Sequence, residues 1–276
     1  MEDVWFGAFL APEAADGERV LRLAELADRL GLDLIGVQDH PYQAAFLDSW
    51  TLLASIAQRT ERIRLVTDVA NLPLRPPAVL ARAAASLDLL SGGRVELGLG
   101  AGAFWDAIAA MGGRRLSPGE SIDALAEAIT VIRALWTPGD PVTFHGTHHR
   151  LDGARPGPFP AHPIGIWIGA SRRRMLELTG RMGDGWLPSS FHSPPEAVAA
   201  QARILDAAAE DAGRDPADIR KVYNIGGSLS PLPGEGFLDG PPALWAEQLA
   251  GLVFEVGMSG FVLAPGVEAE RDLRVF

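Results

Sequence analysis

A single closed (β/α)8 barrel is the fold class that this sequence predicts, and three observations carry it. Short β-prone apolar runs alternate with amphipathic helical segments through eight βα units in 276 residues. That count at that length fits a closed parallel barrel better than an open doubly wound sheet, because closure leaves no strand edge. No stretch rich in Ser, Pro or charge divides the chain, so residues 1–276 read as one domain, and 47% apolar residues suffice for a large core.

The elements follow in order. Val4 to Leu10 is an apolar run with aromatics, and Val20 to Leu30 has helical periodicity closed by Gly31. Leu34 to Val37 is the second strand, ending in Gln38-Asp39-His40-Pro41, and Leu47 to Gln58 is helical. The third strand starts at Ile63 and ends near Ala70, because the Pro-Leu-Arg-Pro-Pro segment can continue neither a ladder nor a helix interior. Ala78 to Leu90 recurs at helical spacing, and Ser91-Gly92-Gly93 supplies its stop. In the next strand Val95, Leu97 and Leu99 alternate with Gly98, Gly100 and Gly102, so its far end admits another backbone or a flat ligand. Pro118 to Trp136 is a long helix, acidic early and with Arg133 near its end, as the helix dipole favours. A surface hairpin over 141–152 interrupts the alternation. It resumes with strands at Ile164–Ala170, Gly185–Pro188, Lys221–Ile225 and Gly260–Ala264, and helices at Arg172–Arg181, Pro194–Ala212 and Ala243–Val256.

Composition bounds the function. A net charge of −11 argues against electrostatic capture of nucleic acid or an anionic membrane, though a local phosphate pocket remains compatible with it. No stretch is apolar enough to span a bilayer, and the start MEDVWFGAF lacks the basic and apolar regions of a signal peptide, so a cytoplasmic protein is expected. Without cysteine there is no thiolate nucleophile or Cys-ligated metal, and redox chemistry must come from a bound cofactor. His145, His148 and His149 lie in the hairpin without a carboxylate at ligand spacing, so no metal is expected there.

In such a barrel the residues that follow each strand face the catalytic end. His40, beside Asp39, is placed to move a proton near neutral pH, or else the pair simply caps its strand and starts a turn. Gly169-Ala170-Ser171-Arg172 joins a strand to a helix, where free N–H groups and the dipole favour an anion; the alternative is a solvated Arg run. Gly98-Leu99-Gly100-Ala101-Gly102 is not a dinucleotide fingerprint, because its third glycine is misplaced. Trp105, just past that strand, is a candidate wall for a substrate pocket.

The run from Ile63 to Gly102, with its Leu-Pro-Leu-Arg-Pro-Pro turn, Ala-rich helix, Leu-Ser-Gly-Gly-Arg and Gly-x-Gly-x-Gly, resembles the bacterial luciferase-like superfamily of flavin- or deazaflavin-dependent oxidoreductases. The likeness extends to Gly31–His40, Ile132–Trp136 and Ile166–Ala170. It implies coenzyme F420 or FMN as cofactor, a small organic substrate and a homodimer. The resemblance makes His40 the proton donor, and Asp39, Asp68, Val69, Ala70, Gly100, Gly102, Asp106, Gly169, Ala170, Ser171 and Arg172 the cofactor contacts. It also implies a bulge with a non-prolyl cis peptide against the ring, assigned here to Asp68-Val69. At Ala103 and Asp106 the chain departs from the sugar-phosphate dehydrogenase branch, which has Glu and Asn there, so glucose 6-phosphate is not expected as substrate. Two alternatives remain: a monooxygenase using reduced FMN and oxygen, and a non-catalytic flavin-binding barrel.

Overall fold

A computed structural model describes residues 4–276. The acidic start of the chain, residues 1–3, where no signal peptide is expected, lies outside the described residues. Eight parallel positions make the barrel: β1 (Trp5–Leu10), β2 (Leu34–Val37), β3 (Arg64–Thr67) with its continuation β4 (Ala70–Asn71), and β5 (Val95–Gly100) form the first half. After the antiparallel hairpin β6 (Val142–His145) and β7 (Arg150–Ala154) come β8 (Ile166–Ile168), β9 (Gly185–Trp186) and β10 (Arg220–Ile225). A small parallel pair, β11 (Ser228–Leu229) and β12 (Asp239–Gly240), precedes the last barrel strand, β13 (Gly260–Leu263). The sheet runs β3-β2-β1-β13-β10-β9-β8-β5-β4, and the pairing of Leu65 with Val95 between β3 and β5 closes it.

Helices α1 (Gly17–Leu30), α2 (Ser49–Arg59), α3 (Pro77–Ser91), α4 (Trp105–Ala110), α5 (Pro118–Trp136), α6 (Arg173–Met182), α7 (Pro195–Asp211), α8 (Pro242–Val256) and α9 (Ala269–Val275) surround the sheet. Local chemistry sets their ends. Ser117 and Glu120 form a reciprocal capping box on α5, Asp48 caps α2 through the Thr51 N–H, and Gly31, Gly92 and Gly257 end their helices at positive φ. The reading of eight βα units stands, with three differences. The third strand is split by the Asp68–Val69 bulge, β8 and β9 are shorter than expected because their ends turn into the site, and α4, α9 and the β11–β12 pair lie in segments without strong periodicity.

Period-two alternation gives each strand an outer face toward the helices and an inner face toward the barrel axis. Leu34, Val66, Trp167, Leu187, Val222 and Val262 pack together as the layer that fills the barrel interior. Below it Trp5 carries the Arg220 guanidinium 3.8 Å from its ring centroid, with Arg64 at 4.8 Å. Gly98 is needed in this frame, since a Cβ there would lie 1.8 Å from the Thr67 carbonyl oxygen. Among the described residues no helix is long and apolar enough to cross a membrane.

Candidate active site

Above the filled layer the strand ends open into a cavity of about 570 Å³. Its floor is polar. Asp68 follows Val66 inward just past the end of β3, and Asn224 follows Val222 inward on β10; the Asn224 amide donates to Asp68 Oδ1 at 3.0 Å. Asp68 Oδ2, Asn224 Oδ1 and Asn71 Oδ1 are buried and have no partner among the described residues. Burial without a cation pushes the Asp68 carboxyl up to about 7, Asn224 pulling weakly the other way. The Asp68–Val69 peptide is cis, at the position that the sequence pointed to. Val69 stands beside two bare backbones: a Cβ on Gly100 would lie 2.7 Å from Val69 Cγ2, and one on Gly169 would lie 3.2 Å from it.

One wall is built by a charge network. Asp39 is 1% exposed and accepts from Arg75 Nε and Nη2, each at 2.7 Å, and from the Asn71 N–H at 2.9 Å. Arg75 also reaches Asp48 at 2.7 Å, tying the loop after β2 to the loop after β4 and to the cap of α2. Burial works against the guanidinium's charge, but the two carboxylates outweigh it and raise its pKa. This frame holds His40. Gln38 Nε2 lies 3.0 Å from His40 Nδ1, so the neutral ring carries its proton on Nε2, which makes no hydrogen bond among the described residues. Burial lowers the pKa of the imidazole, with Asp39 opposing. Tyr42 stacks on His40 at 5.2 Å and 23°, and Phe104 meets its edge at 5.5 Å. Burial pushes the Tyr42 phenol up to about 12, so it stays neutral.

The opposite wall is the turn into α6. Trp186 Nε1 donates to the Ala170 carbonyl at 2.8 Å and Gln201 Nε2 to the Ser171 carbonyl at 3.1 Å, fixing the turn. No side chain caps the N-terminus of α6.

Of the residues singled out in the sequence, Asp39, His40, Asp68, Val69, Ala70, Gly100, Gly102, Gly169, Ala170 and Ser171 line this one cavity. Three do not. Asp106 sits on the outer face of α4, paired with Arg115. Trp105 begins that helix and lies outside the lining, its ring against Gly102, where a Cβ would come within 3.0 Å of it, while Phe104 is in the lining. Arg172 precedes α6 and is exposed outside the lining. Asp39 touches the cavity, but its carboxylate is taken up by Arg75. Sequence reading missed Phe104, Phe191, His192 and Asn224; only Asn224, two residues beyond Val222 at the end of an expected strand, left a signal. The hairpin histidines are held structurally: His145 pairs with Asp152, and Glu127 accepts the N–H groups of residues 147–149.

A family model described as luciferase-like monooxygenase matches residues 5–228. The chain belongs to that family. Among curated relatives of this luciferase-like protein, the F420-dependent glucose-6-phosphate dehydrogenase of Gordonia bronchialis is 31% identical over 84% of the chain and 70% of the relative. The 4-hydroxyprotoasukamycin monooxygenase of Streptomyces nodosus subsp. asukaensis is 35% identical over 82% of the chain and 65% of the relative. The luciferase-like chain thus spans about two thirds of the length of these two relatives. An F420-dependent secondary alcohol dehydrogenase, solved with an F420–acetone adduct, superimposes with a TM-score of 0.87 at 21% identity, covering 99% of this chain and 98% of the other. That likeness is one of fold.

Proposed function

We propose that this luciferase-like barrel is an oxidoreductase that binds coenzyme F420 and passes hydride between it and a small organic substrate. The observation that carries the reading is the convergence, in one cavity, of an imidazole with an unengaged Nε2, the Asp68–Val69 bulge between two bare glycines, and the uncapped start of α6. The residues fit the group. Three orphaned buried oxygens at the floor call for hydrogen-bonding partners, which the polar edge of a deazaflavin or flavin ring provides. Val69, admitted between the bare backbones of Gly100 and Gly169, would support the ring, and the N–H groups at the start of α6 with Ser171 would hold a phosphate.

When bound, the cofactor supplies the two-electron chemistry. The chain's own part is to hold, shield and move a proton. His40 would exchange the proton of the substrate oxygen at Nε2; its lowered pKa makes the imidazolium a ready donor and the neutral ring the resting form. Gln38 orients the ring through Nδ1, and Tyr42 and Phe104 exclude water from it. Asp39 acts through the loop it pins. Asp106, Arg172 and Trp105 are left out of the contact set.

A second reading, oxygenation with reduced FMN, is favoured by the monooxygenase relative. The non-catalytic barrel has no support among the relatives named. We also infer a cytoplasmic homodimer that binds neither nucleic acid nor membrane, in keeping with the net charge of −11. Titration with F420 and, separately, FMN, read by fluorescence quenching, tests the cofactor. F420 binding that falls at least tenfold in Ser171→Glu with an unchanged melting temperature is expected; a preference for FMN moves oxygenation to first place, and binding of neither refutes the proposal.

A further inference from the structure

The lining of the cavity contains no Lys or Arg among the described residues; its basic side chains are His40 and His192. The nearest guanidinium in the network, that of Arg75, is committed to Asp39 and Asp48. The floor adds a carboxyl, Asp68, whose hydrogen-bond partner is a neutral amide. An anionic substrate would therefore find no fixed cationic side chain in the lining, and the N–H groups at the start of α6 are claimed by the cofactor phosphate, in a chain of net charge −11. The rim points the same way from the apolar side. Phe104 is 58% exposed and Phe191 74% exposed, and they come from two separate loops, after β5 and after β9. Phe104 is held by His40 and by Tyr42, 5.8 Å away, while Phe191 rests its edge on Gly226, where a Cβ would come within 3.1 Å. Two large apolar side chains exposed singly would be ordinary; two converging on one cavity mouth mark a site for an apolar body.

We propose that the substrate is an uncharged aromatic ketone or its secondary alcohol, with its ring between Phe104 and Phe191 and its oxygen at His40, and that phosphorylated and carboxylated substrates are rejected. In reduction the carbonyl carbon gains hydride from the reduced cofactor and the oxygen gains the proton from the His40 imidazolium; in oxidation both are returned. This assignment rests on the hydride-transfer reading, and the test separates the two. Methyl 4-acetylbenzoate and 4-acetylbenzoate share ring and ketone and differ in charge. Calorimetric titration of each into the protein, alone and loaded with F420, at pH 7.5 and low ionic strength, is expected to show at least tenfold tighter binding of the neutral ester. Phe104→Ala and Phe191→Ala should each weaken the ester several-fold, and Phe191→Arg, at an exposed position, should remove the preference. Equal or tighter binding of the carboxylate, no binding of the ester, or insensitivity to both Phe substitutions overturns the assignment. F420 binding without ester preference sinks the substrate class alone, whereas ester preference in a protein that does not bind F420 sinks hydride transfer and leaves the apolar, charge-rejecting site standing.

Discussion

Replacing Arg75 with Met strands Asp39. The Asp39 carboxylate is 1% exposed and receives two of its three hydrogen bonds from that guanidinium, so the variant leaves a buried charge with only the Asn71 N–H. Breaking a buried pair from one side costs about 3–5 kcal/mol. Arg75's side chain is itself only 19% exposed, so solvent screening removes little of this. At about 2 °C per kcal/mol for a chain of this size, the melting temperature should fall by roughly 6–10 °C. The double variant Asp39→Asn/Arg75→Met keeps an acceptor for Asn71 and removes the charge, so urea unfolding followed by circular dichroism should return at least half of the loss. An Arg75→Met cost below about 1 kcal/mol, or a double variant as unstable as the two single losses added, would refute the view that this pair is a buried, interdependent anchor.

Two further outcomes concern pH. The Asp68 carboxyl is raised to about 7 in the folded chain, so the native state binds more protons than the unfolded one between its ordinary value and 7. Stability relative to Asp68→Asn should therefore decline as pH rises through that window and level off above it, by on the order of 4 kcal/mol across the whole span; a flat difference between the two denaturation profiles would contradict the raised value. His162 lies at the other end of the barrel, its imidazole raised by Glu96, which is 3.6 Å from Nε2 and acts as an ion-pair neighbour, and by Asp88, hydrogen bonded to Nδ1 at 2.8 Å. Its contribution is fully present below the ordinary histidine value and lost as pH rises through the folded one. The melting-temperature gap between the wild type and His162→Gln should accordingly narrow from pH 6 to pH 9, and a widening gap would reverse the sign.

Much of this architecture was legible because local rules and tertiary packing agree. Leu34–Val37 and Pro118–Trp136 have the same bounds in sequence and structure, the first as an apolar run between turn residues and the second because Ser117 and Glu120 close a box on its start. The cavity was legible where strands end in chemically distinctive residues, as at His40, Asp68 and Ser171. It was illegible where a loop decides which side chain turns inward. Trp105 and Phe104 are adjacent, and the start of α4 between them leaves one outside the lining and the other within it. Asp39 shows a different limit: its partner is 36 residues away, and nothing local distinguishes a carboxylate waiting for a ligand from one already claimed by an arginine.

The packed layer of Leu34, Val66, Trp167, Leu187, Val222 and Val262, with Trp5 and its two arginines beneath, seals the barrel from below. The cavity is thus a well closed below and open toward the strand ends. Whatever rests on the Asp68–Asn224 floor must arrive before anything that occupies the rim, and must wait for it to go before leaving. Traffic in such a well is last in, first out: a molecule seated at the bottom is retained through many visits by those above it, and reagents added together compete for the entrance before they compete for the site.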